Sequence, residues 1–501
     1  MPKSPPTNPQ PDRDRFVLPA LAAVMLVAVA LRFYNLGGPS LWSDEFLTLG
    51  IASGPVDTIA RAVRQAEQTP PLLHYFMHYW ISAYGVSEFA LRVPFALCGV
   101  GAVWMTYRLA RLLYTPREGV VAAALMAVSS FQITYSQEAR VYAPFMLVAL
   151  WSCCAFVRLI RTGGRKHQIS YVLATGLLYW LHLYAVFVVA AQMVAWAFTY
   201  LRRTHVAGDD INARPTIDRQ GADNDDSATA GGASRLTPRI WLTCTLVALA
   251  LFAPWMPTVL QWVGSATQSF WIQPMTRWFL PQTYAQYAGS AVLLACLLAL
   301  DVLGMVKTRR RWKSVFLVAL LTFPVVIPYV VSLTVRPLFV HRYGIAAAAG
   351  LFILAARGCT ALPGRAARGF VLLALLALSA VSVYPALRDG PANKPDVRSA
   401  TAFVARAAHP GDVILLNSYA NSIFVYYLRD TDTTQYRMAY DPQEIPPAGS
   451  VPPDTQLYTL SLRGPDGNYP TAYKSLAADR GWQFQDTREF HGVLMDRFTR
   501  K

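Results

Sequence analysis

The chain alternates between long apolar runs and short polar loops. Few or no charges occur in the runs 16–33, 120–133, 240–251 and 314–333. A run of roughly 20 apolar residues matches a hydrocarbon core about 30 Å thick. Backbone groups in lipid must be hydrogen-bonded within their own segment, which favours helices. The pattern therefore predicts an α-helical polytopic membrane protein.

These runs predict about eleven membrane-spanning helices. They lie at about 16–33, 89–113, 119–135, 141–160, 168–181, 184–201, 240–259, 288–306, 314–333, 343–357 and 369–386. The stretch 168–201 is apolar almost throughout, and as one helix it would be about 50 Å long, too long for a single span. Basic residues flank both of its ends, which places the ends on one side of the membrane. We therefore predict two short helices that turn near His182.

The C-terminal segment 387–501 has a different pattern. Its short apolar runs predict strands at 413–417, 456–462 and 492–498, with helical stretches between them. A further helix precedes the first strand, and Asp396 is placed to cap it. This alternation predicts a small soluble α/β domain.

Composition and charge agree with a membrane protein. Charged residues make up 15% of the chain and hydrophobic residues 54%, whereas soluble proteins carry roughly 25% charged residues. The net charge of +16 does not indicate nucleic-acid binding, because the basic residues lie in short loops between apolar runs. By the positive-inside rule, these loops are cytoplasmic. We predict a cell (inner or plasma) membrane protein with a cytoplasmic N-terminus and an extracytoplasmic C-terminus.

The predicted organisation has three parts: a cytoplasmic segment 1–15, a membrane core 16–386 and an extracytoplasmic domain 387–501. Within the core, the polar loop 205–238 lacks periodicity, which predicts disorder in the cytoplasm. The first outer loop, about 34–88, contains two candidate amphipathic helices, at 57–68 and 72–84. The six cysteines lie within or at the ends of apolar segments, so we expect neither a disulfide framework nor a cysteine metal site.

Two adjacent carboxylates, Asp44 and Glu45, follow the first predicted span. Adjacent carboxylates near a membrane surface suit general-base catalysis or cation binding. The alternative is a structural role, in which Ser43 caps a helix whose dipole favours acidic residues in its first turn.

A second group of polar residues, 135–144, lies at the predicted outer mouth between two spans. Glu138 and Arg140 are near membrane depth, where ionisable groups are costly and usually functional. Tyr142 is a further candidate in this group. The alternative is an ion pair that joins helices.

A third group, 336–343, also lies on the predicted outer side and includes Arg336, His341, Arg342 and Tyr343. Arginine offers a bidentate fork for a phosphate, whereas an interfacial anchor is the plainer interpretation. His74 and His182 are weaker candidates, since a buried histidine is more often structural. The three groups share one predicted side of the membrane, and their chemistry suits attack on a phosphate-activated group.

Several motifs resemble those of the bacterial glycosyltransferase family 39 type enzymes. This family belongs to the membrane GT-C superfamily, with protein O-mannosyltransferases and lipid A aminoarabinose transferases as relatives. The motifs are Trp42 with Asp44 and Glu45, Thr69 to Leu72, Arg92 with Pro94, Tyr135 to Ala143, and Arg342 with Tyr343. Parts of the tail are also similar to the outer domain of such enzymes: Lys394 to Arg398, Pro410 to Val413, and Tyr426 with Tyr427.

The resemblance implies a GT-C core that transfers a sugar from a polyprenyl-phosphate donor to an acceptor glycan, lipid or protein. Asp44 would then be the general base, Glu45 and Glu138 would shape the site, and Arg140 and Arg342 would neutralise the departing phosphate. His341 and Tyr343 would assist at the lipid phosphate. No cofactor is expected. GT-C enzymes differ in their use of a divalent metal, and we expect none here, because the cationic residues supply the charge.

The main alternative is a transporter or flippase for lipid-linked glycans. The sequence shows no internal repeat and no matching pair of broken helices, which disfavours it. A structural assembly factor would leave the three polar groups unexplained. The resemblance leaves the sugar, the acceptor and the polyprenol open.

Overall fold

The computed structural model describes residues 15–209, 237–264, 272, 275–389, 394–417, 421–429, 431–463 and 468–501. The chain divides into two compact units. The first comprises Met1–Tyr34, Gly54–Tyr79 and Arg92–Tyr384, and the second comprises Asn35–Ser53, Trp80–Leu91 and Pro385–Lys501, as far as their residues are described. Most of the predicted disordered loop 205–238 lies outside the described residues, as does nearly all of the segment 1–15.

Helices dominate the chain as far as Asp389. In chain order they are α1 (Val17–Phe33), α2 (Ser43–Ala52), α3 (Ile59–Ala66), α4 (Leu72–Tyr84), α5 (Glu88–Leu113), α6 (Pro116–Ala127), α7 (Ser130–Ser136), α8 (Tyr142–Thr162), α9 (Arg165–Leu181), α10 (Ala185–Asp209), α11 (Pro238–Ala250), α12 (Met256–Gly264), α13 (Phe279–Ala288), α14 (Ala291–Val306), α15 (Arg311–Thr334), α16 (Ala347–Ala361) and α17 (Arg365–Asp389). Both amphipathic helices predicted in the first outer loop are present, as α3 and α4.

In the described part of the chain, five helices are long and apolar enough to cross a membrane, and the number is eight if each of three bent helix pairs forms one span. Two shorter apolar helices, α1 and α16, accompany them. Every predicted span coincides with a helix or a bent pair, and the chain is a multi-pass membrane protein. The count of eleven spans and the orientation of the termini stay predictions.

Local sequence explains where the helices break. As predicted, α9 ends before His182, and α10 begins three residues later, at Ala185. The pair α6 and α7 bends by 66°, and the Ser129 hydroxyl at the break accepts a hydrogen bond from the amide of Gln132. The 84° bend between α13 and α14 falls at Gly289, whose φ of 106° favours glycine, and at Ser290, which caps α14.

Two glycines bring α14 and α16 into close contact in the first unit. A side chain at Gly358 would collide with the carbonyl oxygen of Leu300, and one at Gly304 with that of Leu354. Helix association in lipid depends on such close approach, because lipid tails are as apolar as the side chains they would replace.

The second unit is built on a five-stranded mixed sheet. Its strands are β1 (Val413–Asn417), β2 (Arg437–Ala439), β3 (Gln456–Leu462), β4 (Trp482–Phe490) and β5 (Val493–Arg500), in the order β2-β1-β3-β5-β4. Strand β1 pairs in parallel with β2 and β3, whereas β5 is antiparallel to β3 and β4. The predicted small α/β domain is therefore present.

Helices cover both faces of this sheet. They are α18 (Val397–Ala407), α19 (Asn421–Leu428) and α20 (Ala472–Asp479). Along β1, Ile414 and Leu416 join the apolar core beneath α18 and α19, whereas Val413 and Leu415 join the core beneath α20. The alternation follows from the period of two residues in a strand. The Asp396 side chain caps α18 through the amide of Ser399, as predicted.

The second unit also contains two segments of the first outer loop, Asn35–Ser53 and Trp80–Leu91. All of 34–88 was predicted to belong to the membrane core. By its contacts, the segment that carries Asp44 and Glu45 instead groups with the C-terminal domain.

Candidate active site

Asp44 and Glu45 lie in the first turn of α2, in the second unit. The helix begins at Ser43 and follows the extended residue Trp42, with no side-chain hydrogen bond at the cap. Ser43 is therefore the first helical residue, and it does not cap the helix as the structural alternative required. The two carboxylates still benefit from the positive end of the helix dipole.

The two neighbouring carboxylates differ in their surroundings. Glu45 is buried, and its Oε1 atom lies 3.3 Å from Nζ of Lys394, in an ion pair whose side chains are 0% and 1% exposed respectively. Asp44 is partly exposed, and its backbone carbonyl accepts a hydrogen bond from the Thr48 hydroxyl at 3.1 Å. Of the pair, Asp44 is thus the more accessible to a substrate.

Arg140 and Glu138 lie between α7 and α8 in the first unit, and both are buried. Nη1 of Arg140 is 2.5 Å from Oε1 of Glu67, and Nε2 of His74 is 3.7 Å from the same oxygen. Arg140 thus forms a buried ion pair with Glu67. Glu67 was not among the predicted site residues, although it lies two residues before the Thr69 to Leu72 motif.

The carboxyl group of Glu67 is ionised at neutral pH. Burial alone raises its pKa, but the charge of Arg140 and the contacts of His74 outweigh burial and lower the pKa well below its usual range. Glu67 consequently compensates part of the positive charge of Arg140.

Arg342 lies in a short 3₁₀ turn, His341–Gly344, and is oriented by aromatic side chains. Its Nε donates a hydrogen bond to the hydroxyl oxygen of Tyr142 at 2.7 Å. The guanidinium carbon lies 5.8 Å from the ring centroids of both Tyr142 and Tyr343. The two rings stack on each other at 6.3 Å. These contacts fix the plane of the guanidinium through its inner nitrogen.

His182, at the turn between α9 and α10, is influenced by both arginines. Its ring centroid is 5.0 Å from that of Tyr343, and its Nδ1 accepts a hydrogen bond from the amide of Tyr184 at 3.1 Å. Burial, followed by the charges of Arg140 and Arg342, lowers the pKa of His182 to about 3. The imidazole is therefore neutral at pH 7, in a region of the first unit where two guanidiniums act together.

His341 is held as an aromatic ring. It stacks on Phe279 with ring centroids 4.1 Å apart, and its Nδ1 is 2.7 Å from the hydroxyl of Thr283. Burial and the charge of Arg342 lower its pKa to about 4. A role at the phosphate, as predicted from the sequence, would have to use a neutral imidazole. Arg336 is half-buried and follows α15 directly.

Among the described residues, no group of three or more His, Cys, Asp or Glu side chains is arranged to hold a metal ion. The candidate residues are divided between the two units. The first unit holds Arg140, Arg342 and neutral imidazoles among tyrosines, and the second unit holds Asp44 beside the buried Glu45.

Comparison with known proteins identifies the fold. Residues 68–208, which include Glu138, Arg140 and His182, match the model of the family described as dolichyl-phosphate-mannose-protein mannosyltransferase. The chain is also similar to the crystal structure of ArnT from Cupriavidus metallidurans in the apo state, with 13% identity, a TM-score of 0.55, and coverage of 96% of this chain and 98% of that chain. The chain has the fold of the GT-C glycosyltransferases. The fold that the resemblance implied is therefore confirmed.

ArnT bound to undecaprenyl phosphate gives a similar match, with 12% identity, a TM-score of 0.53, and coverage of 97% of this chain and 98% of that chain. The apo oligosaccharyltransferase of Archaeoglobus fulgidus is more distant, with 13% identity, a TM-score of 0.48, and coverage of 91% of this chain and 70% of that chain. No curated protein matches the sequence.

Proposed function

We propose that this GT-C protein transfers a sugar from a polyprenyl-phosphate donor to an acceptor on the extracytoplasmic face of the membrane. The observation that carries the proposal is the pair of buried or half-buried guanidiniums, Arg140 and Arg342, whose charges both reach His182. Two guanidiniums in poorly hydrated surroundings attract an anion in addition to the Glu67 carboxylate, and a lipid phosphate is an anion that a membrane enzyme meets. The similar protein ArnT has been crystallised with undecaprenyl phosphate bound.

The two arginines have different tasks in this proposal. Arg342 is oriented by Tyr142 and Tyr343, so its fork is set before a phosphate arrives. Arg140 is paired with the ionised Glu67, which reduces the net charge it offers. Arg342 therefore provides most of the stabilisation of the leaving phosphate, and Arg140 adjusts the field around it.

The reaction is a substitution at the anomeric carbon of the donor sugar. The acceptor oxygen attacks this carbon, and its proton passes to the carboxylate of Asp44. The bond between the anomeric carbon and the phosphate oxygen breaks, and both electrons leave with the lipid phosphate. Asp44 suits the role of base better than Glu45, which is buried and ion-paired.

Reconstituted full-length protein tests the proposal. The polyprenyl-phosphate-sugar fraction and the membrane extract of the source cells would supply donor and acceptor, and release of free polyprenyl phosphate would be followed by mass spectrometry. Release that depends on the protein in detergent micelles, where no bilayer has to be crossed, is the expected result. A flippase would release nothing in micelles, and that result would overturn the proposal.

Binding of the leaving group is tested separately, with undecaprenyl phosphate as the probe. Arg342→Ala should weaken binding about tenfold or more, which corresponds to about 1.4 kcal/mol. Arg365→Ala serves as the matched control, because Arg365 is an exposed residue at the start of α17. Equal affinities for the two variants would count against the role of Arg342.

A further inference from the structure

The segment that carries Asp44 is held by the C-terminal domain at several points within the second unit. The amide of Leu41 donates a hydrogen bond to the Tyr427 hydroxyl at 2.7 Å. The Tyr427 hydroxyl in turn donates to Oε1 of Glu88 at 2.8 Å. Tyr427 lies in α19, so a helix of the C-terminal domain contacts both ends of the first outer loop.

A second set of contacts comes from Arg398, in the first turn of α18. Arg398 donates from its two outer nitrogens to the carbonyl oxygens of Gly38 and Gly37, at 3.3 and 3.4 Å, and it also pairs with Glu88. Its backbone amide donates to the Ser40 hydroxyl at 3.1 Å. The backbone from Gly37 to Leu41 is thus fixed by contacts from Arg398 and Tyr427.

The last contact reaches the carboxylate pair itself. Lys394 lies four residues before Arg398, and its ammonium group pairs with Glu45 in a position closed to water. A buried ion pair is costly to break, because removing one partner leaves an uncompensated buried charge. The pair therefore fixes the first turn of α2, in which Asp44 is the adjacent residue.

We infer that Lys394 is a positioning residue for transfer, acting through Glu45 to hold the Asp44 carboxylate in place. This inference rests on the proposed function. Its consequence is that the C-terminal domain forms part of the catalytic apparatus, since the cation that orders the carboxylate pair comes from the far end of the chain. Lys394 itself touches neither sugar nor phosphate in this account.

The test compares kcat and KM for the same lipid-sugar fraction in four proteins: wild type, Lys394→Met, Lys394→Arg and Lys474→Met. Lys474 is the matched control, because its ammonium pairs with Asp496 at 2.8 Å in the same domain, on the α20 side of the sheet. A misplaced catalytic group costs up to about 100-fold in rate. We expect Lys394→Met to lower kcat about 10- to 100-fold and to change KM less than about threefold. Lys394→Arg should recover part of the lost kcat. Lys474→Met should have the kcat and KM of wild type.

Tyr427→Phe provides a second route if Lys394→Met does not fold. It removes one hydroxyl and keeps the ring, and the inference expects the same fall in kcat with little change in KM. If Lys394→Met folds, a kcat within about twofold of wild type would overturn the inference. If it does not fold, the same result in Tyr427→Phe would overturn it. An equal fall in Lys474→Met would also overturn it, since the effect would then belong to the domain as a whole. Failure of wild-type protein to release polyprenyl phosphate would instead reject the proposed function itself.

Discussion

Arg342 and Tyr142 are joined by a hydrogen bond of 2.7 Å from the guanidinium Nε to the phenol oxygen. The two residues are 200 positions apart in the chain, and each belongs to one of the family motifs. The phenol therefore controls the direction in which the guanidinium fork faces. In this arrangement the guanidinium is the group that can bind an anion, and the phenol is the group that orients the guanidinium.

Tyr142→Phe should weaken undecaprenyl phosphate binding about three- to tenfold while leaving the fold intact. The variant keeps the ring and loses only the hydroxyl that accepts the hydrogen bond. A hydrogen bond to a charged group is worth about 1.5–3 kcal/mol, and a water molecule that replaces the hydroxyl can recover part of this free energy. Titration calorimetry of the reconstituted protein would measure the change. Tyr200→Phe, at an exposed ring on α10, is the control. Unchanged affinity in Tyr142→Phe would show that the phenol does not orient the fork.

Asp44→Asn should bind the lipid probe normally and lower the rate of transfer about 10²- to 10⁴-fold, the usual effect of losing a general base. Glu45→Gln should retain more activity, because the amide oxygen still accepts from Lys394. Both rates would be read from released polyprenyl phosphate. Near-wild-type transfer by a well-expressed Asp44→Asn protein would move the search for the base to Glu138.

Glu67→Gln should destabilise the protein at pH 7, and the deficit should shrink on acidification. The folded pKa of Glu67 lies well below its ordinary value of 4.5, so its stabilising effect is full above about pH 4.5 and is lost as pH falls toward the folded value. Thermal unfolding of wild type and variant would measure the difference in their stability at pH 7 and again at pH 3.5. A larger difference in stability at pH 3.5 than at pH 7 would contradict the lowered pKa of Glu67.

His182→Gln should make stability less sensitive to mild acid. The folded pKa of about 3 lies below the ordinary 6.5, so below pH 6.5 the unfolded chain binds a proton that the folded protein does not. Wild type should thus lose stability as pH falls from about 6.5, with a slope of up to about 1.4 kcal/mol per pH unit from this histidine. Chemical denaturation between pH 7 and pH 5 would show a shallower slope for the variant. Parallel slopes would refute the prediction.

Topology is open to a direct test. Reporter domains fused after Lys501 and inserted within 210–236 should report extracytoplasmic and cytoplasmic locations respectively, since basic residues collect in the loops predicted to be cytoplasmic. A cytoplasmic signal from the C-terminal fusion would contradict the prediction that Asp44 lies on the extracytoplasmic side.

The sequence predicted what short-range patterns encode. The break at His182 followed from the length of the apolar stretch, and β1 and β3 followed from compact apolar runs bounded by turns. Strand β4 was missed, because most of its side chains are polar and exposed, so it lacks an apolar face. A three-residue strand such as β2 carries too little pattern to detect.

Partners that are distant in the chain were harder to find. Lys394 was noted for its motif, but its pairing with Glu45, 349 positions away, depends on how the C-terminal domain folds. Glu67 is a single acid at the end of α3, and no local pattern distinguishes it from an exposed one. Arg140 and Arg342 could be selected because charged residues near membrane depth are rare.

The close crossing of α14 and α16 also constrains how the protein can diverge. Gly358 contacts the Leu300 carbonyl and Gly304 contacts that of Leu354. Both glycines therefore pack against backbone atoms, and no smaller side chain in the partner helix could make room for a larger residue. Stepwise replacement of either glycine by a larger residue would force the two helices apart before any compensating change could appear. Lineages that retain this fold should therefore keep both positions small over long evolutionary times, even where the surrounding apolar residues drift.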